Sequence, residues 1–264
     1  MSRLSAAALA ASFVGSMLLP MPVIAAPAAP TAPAADPAAP KPNTLTAEEK
    51  KAGWKLLFDG KSTRGWRGFK VKKPPAAWTV KDGVLTFEAG SHASGSPERG
   101  DLMTAGQYEN FELAYDWKIS EGGNSGVIYH VQESEDRPWK TGPEMQVLDN
   151  KKHKDGQSPL TSAGSCYGLY PPSKDVTRPV GEWNQARLLV DGAHVEHWLN
   201  GEKIVSYEKG SDDWKAKVAA SKFKEFPNFG KPTKGFIDIQ DHNDKVEYRN
   251  VKVRVIKKPT AQRP

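Results

Sequence analysis

Two runs of sequence decide the fold: Gly122-Gly-Asn-Ser-Gly-Val-Ile-Tyr-His-Val131, and Glu144-Met-Gln-Val-Leu-Asp-Asn-Lys-Lys-His153. A β-strand sends successive side chains to opposite faces. In the first run Val127, Tyr129 and Val131 share one face, and Asn124, Ile128 and His130 share the other. In the second, Met145 and Val147 oppose Glu144 and Gln146. Each run therefore offers apolar side chains to a core on one side. On the other side stand acid, amide and imidazole groups, with Asp149 and His153 at the end of the second run. A merely solvated strand face carries Lys, Thr or Glu, so this polar face is the first place to look for chemistry.

The rest of the chain repeats the strand pattern. Tyr108–Ile119 alternates, with Phe111, Leu113, Tyr115 and Trp117 against Glu112, Asp116 and Lys118. Trp78–Val80 and Val84–Phe87 flank Asp82-Gly83, a hairpin turn pair. Asp191-Gly192 and Asn200-Gly201 join three further runs into an antiparallel meander, in which His194 and His197 read as solvent-facing. Gly235–Asp241 and Lys245–Ile256 are the last two strands. Only two helices are expected. One is short, over Thr46–Gly53, with a Thr46/Glu49 capping box. The other runs over Ser211–Phe223. Short strands at regular spacing predict an all-β fold, and a domain of this length favours a two-sheet jelly-roll sandwich.

The flanks do not belong to that domain. Met1–Ala26 carries Arg3, then a small-residue apolar run, then Val23-Ile24-Ala25, which predicts a secretory signal peptide over 1–26. Ser12, Gly15, Ser16, Pro20 and Pro22 interrupt the run and argue against an uncleaved membrane anchor. Residues 27–44 are nearly all Ala and Pro, an extended linker. A single domain is expected over 45–258, with a tail over 259–264. The mature chain is expected to be periplasmic or secreted, with no integral membrane domain. Cys166 is the only cysteine, so no intrachain disulfide can form and the core, with its eight Trp residues, must hold the fold alone. The net charge of +6 is scattered along the chain, and no nucleic-acid-binding motif is present.

Glu144, Gln146, Asp149 and His153 lead the candidates for chemistry. Sugar hydroxyls need both donors and acceptors, which carboxylate and amide groups supply. An imidazole ordinarily titrates near neutrality, so His153 is a candidate proton acceptor, with Glu144 or Asp149 to orient it or to act as the base. His242, in the turn after Gly235–Asp241, is the second candidate. Tyr167, beside glycines in an irregular loop, reads either as a binding wall or as a pin holding the loop to the core. No His-Glu-x-x-His, paired-cysteine knuckle, phosphate loop or Gly-x-Ser-x-Gly elbow is present. No metal ligand set or cofactor is therefore expected, although an oxygen-ligated divalent cation such as calcium leaves no spacing signature.

A set of short motifs, in order, gives the chain a family likeness. They are Leu56-Leu-Phe-Asp-Gly60 with Gly65-Trp66, Trp78-Thr-Val-Lys-Asp-Gly83, Asn124-Ser-Gly-Val127, and Glu144-Met-Gln-Val-Leu-Asp149 with His153. Gly181-Glu-Trp-Asn184, Leu199-Asn-Gly201, Ser221-Lys-Phe223, Ile239-Gln-Asp-His242 and Tyr248-Arg-Asn-Val251 continue the series. With these motifs the chain resembles the 3-keto-glucoside lyase/hydratase family, also described as 3-keto-disaccharide hydrolases, from Trp54 to about Ile256. One departure falls at Tyr129-His130, where the family pattern often carries arginine.

The resemblance implies a concanavalin/laminarinase-like jelly roll and a 3-keto-sugar or glycoside substrate. It implies proton abstraction at carbon 2, elimination of the aglycone and hydration of the glucal. Under it His153 is the base, oriented by Asp149, and Glu144 is the acid or a hydroxyl ligand. Asn124, Gln146, Lys222 and His242 would bind hydroxyls or stabilise the oxyanion. His130, on the polar face, and Tyr167, in the loop, are further substrate-binding candidates read from the residues themselves. Two alternatives stand beside it: a laminarinase-like glycoside hydrolase, which needs two carboxylates flanking the bond, and a non-catalytic carbohydrate-binding module built on an aromatic platform.

Overall fold

The computed structural model describes residues 41–88, 90, 96 and 98–257. The expected signal peptide, residues 27–40 of the expected linker and the tail over 259–264 lie outside the described residues. The linker boundary moves inward, because Asn43 is only 8% exposed. Its amide Nδ2 donates to Gly83 O over 2.7 Å, and its Oδ1 accepts the Asn250 N–H over 2.8 Å. This residue ties the start of the domain to its last strand.

The strands in chain order are β1 (Trp54–Leu56), β2 (Trp66–Gly68), β3 (Trp78–Lys81), β4 (Val84–Phe87), β5 (Leu102–Thr104), β6 (Phe111–Ile119) and β7 (Asn124–Val131). They continue as β8 (Glu144–Leu148), β9 (Asn184–Asp191), β10 (His194–Leu199), β11 (Glu202–Glu208), β12 (Phe236–Ile239) and β13 (Val246–Val255). Helices α1 (Ala47–Lys51) and α2 (Asp212–Ala220) complete the regular elements among the described residues, apart from short 3₁₀ turns. Two antiparallel sheets form a jelly-roll sandwich. The larger runs β11-β10-β9-β6-β13-β4-β3, with β1 also paired to β13, and the smaller runs β2-β5-β12-β7-β8. The expected all-β class and two-sheet architecture are what the chain adopts.

The core forms where the sheets face each other. Phe111, Leu113, Tyr115 and Trp117 of β6 and Leu188 and Val190 of β9 meet Val127 and Tyr129 of β7 and Met145 and Val147 of β8 in one buried cluster. Burying each such large side chain contributes roughly 1.5–3 kcal/mol. The polar face of β6 is neutralised by ion pairs across the sheet. Glu112 accepts from Arg187 over 2.6 Å and also pairs with Arg254, while Asp116 accepts from Arg249 over 3.0 Å.

The outer face of the smaller sheet is covered rather than solvated. Asn124, Glu144 and Gln146 are 2%, 8% and 1% exposed. The chain over 163–167 runs along the free edge of β8: Gly164 N–H donates to Gln146 O over 2.8 Å, and Tyr167 N–H to Glu144 O over 3.0 Å. The same loop explains a correction at His197. It is fully buried, not solvent-facing, because its Nδ1–H donates to Gly164 O over 2.9 Å. The helix expected through Phe223 stops at Ala220. Ser221 adopts φ −108°, ψ 175°, and its Oγ accepts the Phe223 N–H, starting a 3₁₀ turn over Lys222–Glu225. That break aims Lys222 at the covered face.

Candidate active site

Strand register assembles the site. Asn124 pairs with Leu148, Gly126 with Gln146 and Ile128 with Glu144 between β7 and β8. Across the other edge of β7, Asp238 pairs with Ile128, and Gln240 N–H donates to Gly126 O over 2.9 Å. Directly opposed residues share a face, so Asn124, Glu144, Gln146, Asp238 and Gln240 all stand on the covered side, with His242 just beyond β12. Gly126 leaves room for the acid. A Cβ on it would lie 1.9 Å from Glu144 Oε1, so only glycine lets the carboxyl lie across β7.

A cavity of ≈ 200 Å³ opens over this face, floored by Asn124, Glu144, Gln146 and Gln240 and walled by Trp139, Asp155, Tyr167, Lys222 and His242. The Lys222 ammonium sits 4.6 Å from the Tyr167 ring centre and 5.0 Å from that of Trp139. Tyr167 donates its hydroxyl to Asp155 Oδ2 over 3.0 Å. Burial raises the Glu144 carboxyl to about 8, against the pull of Lys222 and with help from Asp101 and Asp155. At neutral pH it is therefore mainly a protonated acid. Asp238, fully buried and without a hydrogen-bond partner on either carboxyl oxygen among the described residues, is raised well above the usual range by burial and then by Asp101 and Glu144.

His153 and His242 close one end, with ring centres 5.9 Å apart. The Asn124 amide nitrogen is 3.5 Å from the Nε2 of each. His153 Nδ1 accepts the Asp155 N–H over 3.1 Å, which in the neutral ring leaves the proton on Nε2. The Asn124 amide nitrogen, itself a donor, then hydrogen-bonds to His242 and not to His153. His242 is arranged the other way. Its Nδ1 lies 3.7 Å from Asp244 Oδ2, beyond hydrogen-bond distance, and its Nε2 faces the Asn124 amide, a donor from which a lone pair there would accept.

His153, His242 and Asp244 each bring one ligand atom within 4.8 Å of the others. This is the one such cluster among the described residues, and its two imidazoles and carboxylate suit a transition metal better than calcium. Ligation through His153 Nε2 would require the tautomer opposite to the one that the Asp155 N–H selects, because a metal-bound imidazole donates from its other nitrogen. The residues as arranged favour a hydrogen-bonding cluster.

Asn124, Glu144, Gln146, Tyr167, Lys222 and His242 therefore come together, with His153 at the rim. Two candidates do not join them. Asp149 turns its carboxylate to the Gly122 N–H at 2.8 Å and the Lys151 N–H at 3.0 Å, and it touches His153 only through its backbone carbonyl, at 3.1 Å. It shapes the turn and does not orient the imidazole. His130 is reversed by a bulge. Its φ is +56°, and the β7–β12 register shifts beside it. Val131 is thereby moved to the outer face with Ile128 and Met103, while the His130 ring packs against Phe111 and Tyr129. His130 Nε2–H donates to Glu109 O and its Nδ1 accepts from Lys209, and burial followed by the lysine charge lowers it to about 4. Cys166 is buried and its thiol is raised to about 12 by burial, so it supplies no thiolate.

The sequence profile of the 3-keto-alpha-glucoside-1,2-lyase-like domain matches residues 53–254. The chain belongs to that family. A 3-keto-disaccharide hydrolase from Bacteroides thetaiotaomicron is 36% identical over 228 residues, which cover 77% of this chain and 79% of that protein. A provisionally named glycosyl hydrolase from Parabacteroides distasonis is 39% identical, with a TM-score of 0.75, and covers 82% of this chain and all of its own. A second from the same organism is 27% identical, with a TM-score of 0.59 over 77% of this chain and 99% of its own. These likenesses place the chain among carbohydrate-active enzymes.

Sequence reasoning missed Gln240, Asp238, Trp139, Asp155 and Asp244. The first two were in reach, since in Gly235-Phe-Ile-Asp-Ile-Gln-Asp241 they share the parity of His242. The others come from connections, where no spacing rule applies.

Proposed function

We propose that this chain cleaves 3-keto-glycosides by elimination and hydration, a net hydrolysis. The observation that carries the reading is a geometry: Glu144, Lys222 and His242 line one sugar-sized hollow with His153 at its rim, His153 Nδ1 is occupied by the Asp155 N–H, and His242 Nε2 faces the Asn124 amide. A ketone at carbon 3 acidifies the carbon 2 hydrogen. His242 Nε2, backed by Asp244, takes that proton, and the electron pair delocalises onto the carbon 3 oxygen. The Lys222 ammonium and His153 Nε2–H stabilise the developing oxyanion. The enediolate re-forms the ketone, the carbon 1–oxygen bond breaks, and Glu144 protonates the departing oxygen. Water then adds at carbon 1 and gives its proton to the Glu144 carboxylate, while the electron pair of the carbon 1–carbon 2 double bond moves onto the carbon 3 oxygen. The imidazolium, exchanged with solvent, returns a proton to carbon 2 as the ketone re-forms. All these steps use groups of the protein itself.

This assignment exchanges the roles expected of the histidines: His242 rather than His153 is the base. The alternatives lose support from the same geometry. The Glu144/Asp149 pair needed for a laminarinase-like mechanism is separated, since Asp149 is spent on backbone N–H groups. The ring faces of Trp139 and Tyr167 hold the Lys222 ammonium instead of forming an open platform for a binding module. Export to the periplasm or medium, read from residues 1–26, belongs to the same proposal. No helix among the described residues is long and apolar enough to cross a membrane. The test is turnover of a 3-keto-disaccharide by the purified mature protein and by the His242→Gln variant. Release of 3-keto-glucose by the first and at least a hundredfold loss in the second are expected. Equal activity of the two would remove His242 from the mechanism.

A further inference from the structure

A second cavity of ≈ 540 Å³ lies beside the first, lined by Phe69, Val71, Asp101, Arg137 and Asp241 among others. The two share walls at two separate places in the chain. Trp139 lines the smaller cavity and its neighbour Pro138 the larger, while Gln240 lines the smaller and Asp241 the larger. The larger lies toward β5 and β2 on the same sheet, since Asp241 N–H donates to Asp101 Oδ1 over 2.8 Å. At ≈ 200 Å³ the first cavity is below the span of pockets that enclose a drug-sized ligand, about 300–1,000 Å³, and has room for one ring.

We propose that the larger cavity is the subsite for the leaving sugar of a disaccharide, with Phe69 as its apolar wall and Arg137 as its hydrogen-bonding group. This rests on the reading of the chain as a 3-keto-glycoside-cleaving enzyme. A sugar offers apolar C–H faces and hydroxyl edges, and this lining matches both. Phe69 is half-buried against Met103 and Ile128, and Val71 is 52% exposed. Arg137 is exposed; its charge reaches Asp101 and Asp136, but no hydrogen bond holds its guanidinium among the described residues. Arg99 is not free for this role, because Asp241 and Asn243 hold it as part of the wall. The Asp101 carboxyl, raised to about 7 chiefly by burial, adds a group that can donate or accept toward a hydroxyl at neutral pH.

The test compares kcat/KM on a 3-keto-disaccharide with that on methyl 3-keto-glucoside, which lacks the second ring, for the wild type, Arg137→Gln and Phe69→Ala. The proposal expects the disaccharide-to-methyl ratio to fall about tenfold or more in each variant. An unchanged ratio in both overturns it. Because Arg137 is exposed, its variant reports even if loss of Phe69 disturbs folding. If the wild type turns over neither compound, the functional reading fails, and calorimetry with the unoxidised disaccharide then decides the subsite. Binding by the wild type that weakens about tenfold in Arg137→Gln supports it; no binding, or an unchanged constant, overturns it.

Discussion

His153 accepts the Asp155 N–H at Nδ1 over 3.1 Å, and that contact makes the imidazole a donor toward the cavity. His153→Gln keeps an N–H donor on a neutral side chain, whereas His153→Ala removes it. The alanine variant should lose about 10²–10³ in kcat, the usual cost of an oxyanion donor, and the glutamine variant should recover at least about tenfold of that loss. Equal loss in both, measured by steady-state kinetics, would return His153 to the role of base.

The acid role of Glu144 sets a pH limit. Its carboxyl is raised to about 8, so activity that needs the protonated form should fall as pH rises through that value. The kcat/KM profile should show a falling limb near pH 8, and Glu144→Gln should lose it along with at least about a hundredfold in rate. A falling limb that persists in the glutamine variant would assign the limit to another group.

The same burial gives a stability prediction with a definite sign. A carboxyl whose folded value lies above its ordinary 4.5 binds its proton more tightly in the folded state. Stability is then fully present below about pH 4.5 and is lost as pH rises to about 8. Glu144→Gln removes that loss. Its melting temperature should exceed that of the wild type by several degrees at pH 8, a gap that shrinks as pH falls toward 4.5; a constant gap would contradict the account.

Gly126→Ala tests the contact that seats the acid. The added Cβ would lie 1.9 Å from Glu144 Oε1, so the carboxyl must move. Overpacking of this kind costs about 1–3 kcal/mol, and kcat should fall at least about tenfold while circular dichroism shows an intact sheet. Activity within about twofold of the wild type would show that the carboxyl position is not critical.

Side-chain parity carried the two-sheet fold, the core faces and the convergence of Asn124, Glu144 and Gln146. It failed at His130, where one residue at φ +56° reverses the faces of His130 and Val131, and hydrophobic alternation does not mark such a bulge. Asp149 was misread for a different reason. A carboxylate near a histidine in sequence can satisfy nearby backbone N–H groups instead, and only coordinates separate the two. The burial of the polar face was also hidden, because its cover comes from distant turns at Pro138–Lys140, Lys154–Gln157 and Lys222–Glu225.

Whether the carbon 2 hydrogen is removed during cleavage tests the central claim most directly. A 3-keto-disaccharide cleaved in D₂O should yield 3-keto-glucose carrying deuterium at carbon 2, above the enzyme-free background, by proton NMR and mass spectrometry. Cleavage that leaves the original hydrogen at carbon 2 in every product molecule would contradict elimination and point to direct hydrolysis at carbon 1.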